Sequence, residues 1–136
     1  MDAPELVFAF EARVEIGPPL EVGRTRDGLR RVIPITGGTV KGPRLEGRVL
    51  PGGADRQVVH DDGLVELVAA YTLELSDGTV VGITNAGIVE RSRGYFRTAP
   101  SFDAAEGPHG WLARSLFVGV GRLDPPAVVI RFFEVR

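Results

Sequence analysis

The sequence predicts an all-β protein, a closed or nearly closed antiparallel β-barrel of about eight strands with little or no helix. Three observations carry that expectation. Apolar residues recur with a period of two along most of the chain, Asp-Gly pairs separate extended runs at three places, and Gly and Pro are dense where a helix would otherwise be read. With 18 Gly, 10 Pro, 43% hydrophobic and 25% charged residues, the composition is globular and turn-rich. A chain of 136 residues supports one core, so residues 1–136 read as a single domain.

Taken in order, Leu6, Phe8, Phe10, Ala12, Val14 and Ile16 fall on one face of a first strand, with Glu11, Arg13 and Glu15 on the other. Gly17-Pro18-Pro19 stops it. Hairpins are expected at Asp27-Gly28, Asp62-Gly63 and Asp77-Gly78, because both turn residues tolerate positive φ. Between Gly37 and Asp55, glycines punctuate two short strand-like runs, which implies bent strands brought close together. Val65–Leu75 should pair with Thr79–Val89 across Asp77-Gly78, and Arg114–Gly121 with Ala127–Val135 across Asp124-Pro125-Pro126. Thr98–Trp111 reads as a long loop, rich in Pro, Gly and acid. The last strand pair is apolar on both faces. That predicts cover from a partner subunit, a loop or the chain's own terminus, and self-association through the strands ending in Phe132-Phe133. Closure is the expected way to remove the open edges of so large an antiparallel sheet.

Several function classes are excluded or disfavoured. Zero Cys removes disulfides, thiolate metal sites and a Cys nucleophile. The N-terminus has no basic segment before Leu6-Val7-Phe8 and no apolar run is long enough to span a bilayer, so the expectation is a cytoplasmic protein with no membrane partner. A net charge of −2 gives no general attraction to nucleic acid, and Arg24, Arg26, Arg30 and Arg31 form only a local cluster. No Gly-x-Ser-x-Gly surrounds any serine, and Gly119-Val120-Gly121 leads into Asp124-Pro125-Pro126 where a dinucleotide site would need a helix. His60-Asp61-Asp62 sits at a turn where carboxylates are ordinarily solvated, so no metal and no cofactor is expected.

The ordered set Ile35-Thr36-Gly37-Gly38, Gly42-Pro43, Gly47, Pro51-Gly52-Gly53-Ala54-Asp55, Tyr71-Thr72-Leu73, Asp77-Gly78, Asn85-Ala86-Gly87, Tyr95-Phe96-Arg97-Thr98 and Trp111-Leu112 resembles the bacterial family known as domain of unknown function 3237. The resemblance spans nearly the whole chain. It implies a small β-barrel comparable in outline to lipocalins and to the allene oxide cyclase barrel, and it implies no activity. The family's pattern usually has Arg immediately before the Tyr of Tyr-Thr-Leu and Trp after the Gly-Gly-Ala-Asp turn; this chain has Ala70 and Arg56.

Three residues are candidates for chemistry. Asp55 ends the Gly-rich turn, where burial would raise its pKa toward that of a useful general base; alternatively it caps the turn. Tyr71 shares a face with Leu67, Ala69, Leu73 and Leu75, so its buried hydroxyl needs a partner, either a ligand carbonyl or a neighbouring strand. Asn85 lies on the face of Val81, Ile83 and Val89, where its amide would either polarise a carbonyl or bond the backbone beside Gly87. Tyr95, Arg97 and Trp111 flank the expected loop and suit a barrel mouth that receives a flat organic ligand, although Trp111 would equally serve as a plug. Three functions remain open: a barrel that binds a small apolar or aromatic molecule, a cofactor-independent isomerase, cyclase, hydratase or lyase acting on a small carbonyl compound, and a structural homo-oligomeric barrel with a filled interior.

Overall fold

The computed structural model describes residues 2–136. It contains ten strands: β1 (Leu6–Ile16), β2 (Leu20–Thr25), β3 (Gly28–Lys41), β4 (Gly47–Val49), β5 (Gly53–Val59), β6 (Val65–Leu75), β7 (Val80–Glu90), β8 (Tyr95–Asp103), β9 (Phe117–Asp124) and β10 (Ala127–Val135). The only helical elements among the described residues are two 3-10 turns, Arg91–Arg93 and Gly110–Ala113. All pairings are antiparallel. They run β1–β10–β9–β8–β7–β6–β5–β3 and return to β1, a closed circuit of eight strands, with β4 and β2 as additions.

β3 closes the barrel because it serves two neighbours on each side. Its first half pairs with β2 and β5, and its second half with β1 and β4. The switch falls between Ile35 and Gly38: the register against β1 skips Thr36, and Gly37 and Gly38, which follow it, both have positive φ. A Cβ built on Gly38 would lie 1.9 Å from the Arg13 carbonyl oxygen, so only glycine lets the two backbones approach this closely.

The three Asp-Gly hairpins connect β2 to β3, β5 to β6 and β6 to β7. Positive φ is confined to the glycines, at +135° for Gly28, +93° for Gly63 and +88° for Gly78. Two of the aspartates work through their side chains instead: Asp62 Oδ1 accepts from the Leu64 amide and Asp77 Oδ1 from the Thr79 amide, each at 3.0 Å.

Two expectations about strand content are corrected. The residues from Thr98 to Asp103 are strand, and the loop that follows β8 is correspondingly short. Thr98, Pro100 and Phe102 alternate inward, and Pro100 is tolerated because β9 is paired to β8 only at Arg97 and Thr98, so its missing N–H breaks no ladder on that side. Conversely, Arg114–Leu116 precede β9 and lie outside the strands, after the Gly110–Ala113 turn.

The phase of β1 is also corrected. A register shift at Ala9 turns Leu6 and Phe8 to the outer surface, while Phe10, Ala12 and Val14 remain buried. Phe8 meets Phe133 with ring centroids 5.7 Å apart, and the Arg131 guanidinium lies 4.3 Å from the Phe8 ring. The outer face of β10 is thus covered in part by the chain's own first strand.

The barrel interior is divided along its axis. One half is solid: Phe10, Phe102, Phe117 and Phe132 pack edge to face or tilted, with centroids 4.8–6.2 Å apart, around Leu73 and Val81. Each such buried side chain contributes roughly 1.5–3 kcal/mol. Leu45 and Leu112 seal this end, and His109 Nε2, 2.8 Å from Asp77 Oδ2, pins the sealing turn to the β6–β7 hairpin. The other half is not filled.

Candidate functional site

The unfilled half holds a cavity of about 520 Å³, within the range of pockets for drug-sized ligands. Its mouth is framed by the β1–β2, β5–β6, β7–β8 and β9–β10 connections, represented by Pro19, Gly63, Arg91 and Pro125. Most of the wall is apolar, with Ile33, Leu67, Phe96 and Ile130 among its residues. Asp55, Tyr71 and Asn85 all line it.

Strand register explains why these three converge. Asp55 of β5 lies opposite Ala69 of β6, and Ala69 lies opposite Asn85 of β7, so acid and amide flank one small methyl group in a single cross-strand row. Tyr71 follows Ala69 by two positions and therefore shares its face. Gly53 makes room for the tyrosine: a Cβ there would come within 2.6 Å of the Tyr71 Cβ.

Asp55 Oδ1, the Tyr71 hydroxyl and both amide atoms of Asn85 are buried with no hydrogen-bond partner in the protein. Such groups are rare in folded proteins, where an orphaned polar atom costs about 1–3 kcal/mol. Asp55 is only half orphaned. Gln57 Nε2 donates to Asp55 Oδ2 at 2.9 Å, and Arg31 Nε donates to Gln57 Oε1 at 2.7 Å. Burial pushes the Asp55 pKa up, more than the Gln57 hydrogen bond and the Arg31 charge pull it down. Burial, with the Asp55 charge adding to it, also holds the Tyr71 phenol well above its usual range, so it remains protonated and able to donate.

The proposed mouth residues are elsewhere. Tyr95 and Arg97 lie on the outer surface of β8, with the Arg93 and Arg97 guanidiniums 4.4 and 5.5 Å from the Tyr95 ring. Trp111 belongs to the sealed end: its ring is 5.7 Å from Phe117, and the Arg44 guanidinium stacks on it at 3.6 Å. They lie away from the cavity because the residues expected to form a mouth loop are strand up to Asp103, and because the loop that does follow closes the opposite end of the barrel, where Trp111 takes the alternative place expected of a plug. Phe96, their neighbour in sequence, is the β8 residue that lines the cavity.

Sequence reasoning also missed Arg31, Gln57 and Arg91. Gln57 was accessible to it, since a residue two positions after Asp55 shares its face. Arg31 reaches the site only through the β3–β5 register, which places it opposite Gln57. His60 and Asp61 are engaged with separate partners, Glu66 at 2.7 Å and Arg24 at 3.3 Å.

Residues 4–135 match the family described as Protein of unknown function (DUF3237). The chain belongs to this family. It is 37% identical over 147 residues to the UPF0311 protein of Rhodopseudomonas palustris strain TIE-1, covering 96% of each chain. The crystal structure of a conserved protein of unknown function from Rhodopseudomonas palustris matches it with a TM-score of 0.93 and 38% identity over the full length of both chains. A more distant relative is a hydroalkoxylation enzyme of Penicillium herquei, 27% identical over 109 residues, which cover 80% of this chain and 68% of that one. Ala70 and Arg56 are both exposed and alternate with the cavity-lining Ala69, Tyr71, Asp55 and Gln57, so neither side chain enters the wall.

Proposed function

We propose that this DUF3237 protein binds a small, largely apolar carbonyl or phenolic compound in its cavity and moves a proton on it without a cofactor. The reading is carried by one observation: an acid with a raised pKa, a phenol and an amide, all with unpartnered polar atoms, line the same void. A ligand oxygen would supply the missing partner for Tyr71 and Asn85. Their polar atoms are buried from solvent, so engaging such an oxygen takes a rotation of one of these side chains.

In the proposed step, the Asp55 carboxylate removes a proton from carbon or oxygen of the ligand, while the Tyr71 hydroxyl and the Asn85 amide N–H stabilise the oxyanion. Returning the proton to a different atom completes an isomerisation, a cyclisation, or the addition or loss of water. The hydroalkoxylation activity of the Penicillium herquei relative belongs to this class of proton-balanced additions. The apolar wall equally suits a binder that performs no chemistry, and the experiment separates the two.

Aromatic and carbonyl compounds are screened by thermal shift; a ligand at 100 times its Kd adds about 2.7 kcal/mol. Binders are then incubated in D2O and followed by NMR for exchange of carbon-bound protons. The expected outcome is exchange with wild type and none with Asp55→Asn, which still binds. Exchange that survives in Asp55→Asn removes Asp55 as the base, and binding without exchange in wild type leaves a ligand-binding barrel.

A further inference from the structure

The charge in the cavity wall is unbalanced in a way the proton-transfer reading does not use. Three ionisable side chains that carry opposite charges at neutral pH line it: Arg31 and Arg91 against Asp55. The wall is thus cationic although the whole protein has a net charge of −2. Among the described residues, neither arginine is ion-paired to a carboxylate: Asp61 pairs with Arg24, Glu66 with His60, Glu90 with Arg93 and Asp124 with Arg13, while Glu21, opposite Arg31 in the β2–β3 register, is exposed and makes no ion pair.

Arg31 is oriented by one side-chain hydrogen bond. Its Nε donates to Gln57 Oε1 at 2.7 Å, which fixes the plane of the guanidinium and leaves both terminal nitrogens without a hydrogen-bond acceptor among the described residues. Gln57, 8% exposed, is fixed in turn through Asp55. An oriented guanidinium whose two terminal nitrogens form one free edge matches the fork of a carboxylate end-on. Arg91 stands at the rim, in the 3-10 turn between β7 and β8, next in the chain to the end of a strand that carries Asn85.

We propose that the compound taken by this cavity carries a carboxylate, held by Arg31 with Arg91 assisting at the rim, on an apolar body that extends toward Tyr71 and Asn85. This rests on the proposed binding function and narrows its substrate class to apolar organic acids. The burial of the anion is offset by two cations in a wall that offers the apolar body hydrocarbon contact. It also orients the ligand, since the carboxylate end is fixed at the arginines and the opposite end meets the polar row.

The test uses matched pairs that differ only in the anion: cinnamate against cinnamyl alcohol, and naphthylacetate against naphthylethanol. Binding to the full-length protein is measured by calorimetry at low and at physiological salt. The acids are expected to bind at least about tenfold more tightly than the alcohols, in line with a charge-assisted pair of hydrogen bonds, and the gap should narrow with salt. Arg31→Gln should abolish most of the gap, and Arg91→Gln, a change at an exposed position that folding tolerates, should reduce it. Equal affinity of acid and alcohol, or an acid preference that survives both substitutions, overturns the carboxylate assignment while leaving a binding cavity. If neither acids nor alcohols bind while other carbonyl compounds do, the carboxylate assignment is overturned alone; if the wider carbonyl screen is also blank, the binding function itself falls with it.

Discussion

Tyr71→Phe offers the sharpest separation of a ligand site from a structural one. A tyrosine that ties strands together through its hydroxyl loses about 1 kcal/mol when the oxygen is removed, because a hydrogen bond is lost. Here the Tyr71 hydroxyl is buried, 5% of the residue is exposed, and no partner accepts from it or donates to it in the protein. Removing it should therefore relieve a desolvation cost of about 1–3 kcal/mol while keeping the ring in place. For 136 residues, at roughly 2.1 cal/mol/K of unfolding entropy per residue, each kcal/mol corresponds to about 3.5 °C in Tm. The variant should melt about 3–10 °C higher than wild type and lose affinity for carbonyl ligands. Tyr95→Phe on the outer surface is the control and should move Tm by under about 2 °C. Differential scanning calorimetry without ligand decides the matter. A Tm that falls by several degrees would mean that the hydroxyl is bonded within the folded chain, and the argument that unpartnered groups mark this cavity would fail.

Further outcomes follow from the same geometry. Asp55→Asn should stabilise the protein at neutral pH: burial raises the folded pKa, so the native state binds more protons than the unfolded chain, and wild-type stability falls as pH rises from 3.8 through the raised value. Urea melts across pH should show the gap between variant and wild type closing toward acid; a gap that widens there contradicts the assignment. Glu134 behaves in the opposite sense, because hydrogen bonds from Ser115, Arg136 and Arg44 pull its pKa down to about 2. Its contribution is present above 4.5 and lost as pH falls toward about 2, so Glu134→Gln should flatten acid unfolding in that window. Gly38→Ala should cost about 4 kcal/mol or more, or prevent folding, since the new Cβ meets the Arg13 carbonyl across the closing seam; a near-wild-type circular dichroism melt would disprove that contact.

The sequence alone determined the class of fold and most of its hairpins. Side chains alternate along a strand whatever it pairs with, and an Asp-Gly pair turns the chain by local chemistry, so the three tight turns and the inward faces of β6 and β7 were readable before any contact was known. Burial of Tyr71 and Asn85 followed from the same alternation. What the sequence did not contain was the exact register of each pairing and the partners of strands that are not consecutive. The register of the two hairpins joining β5, β6 and β7 puts Asp55 and Asn85 on either side of Ala69, and β3 against the non-consecutive β5 brings Arg31 to Gln57. The same limit explains the errors: one shifted residue at Ala9 turned Phe8 outward, and the turn bearing Trp111 closed the far end because it is tied to Asp77 from another hairpin. Local chemistry fixes how each segment bends and which side it buries. Closure of the cylinder, a property of all the strands together, decides which end is filled with phenylalanine and which is left open around Asp55, Tyr71 and Asn85.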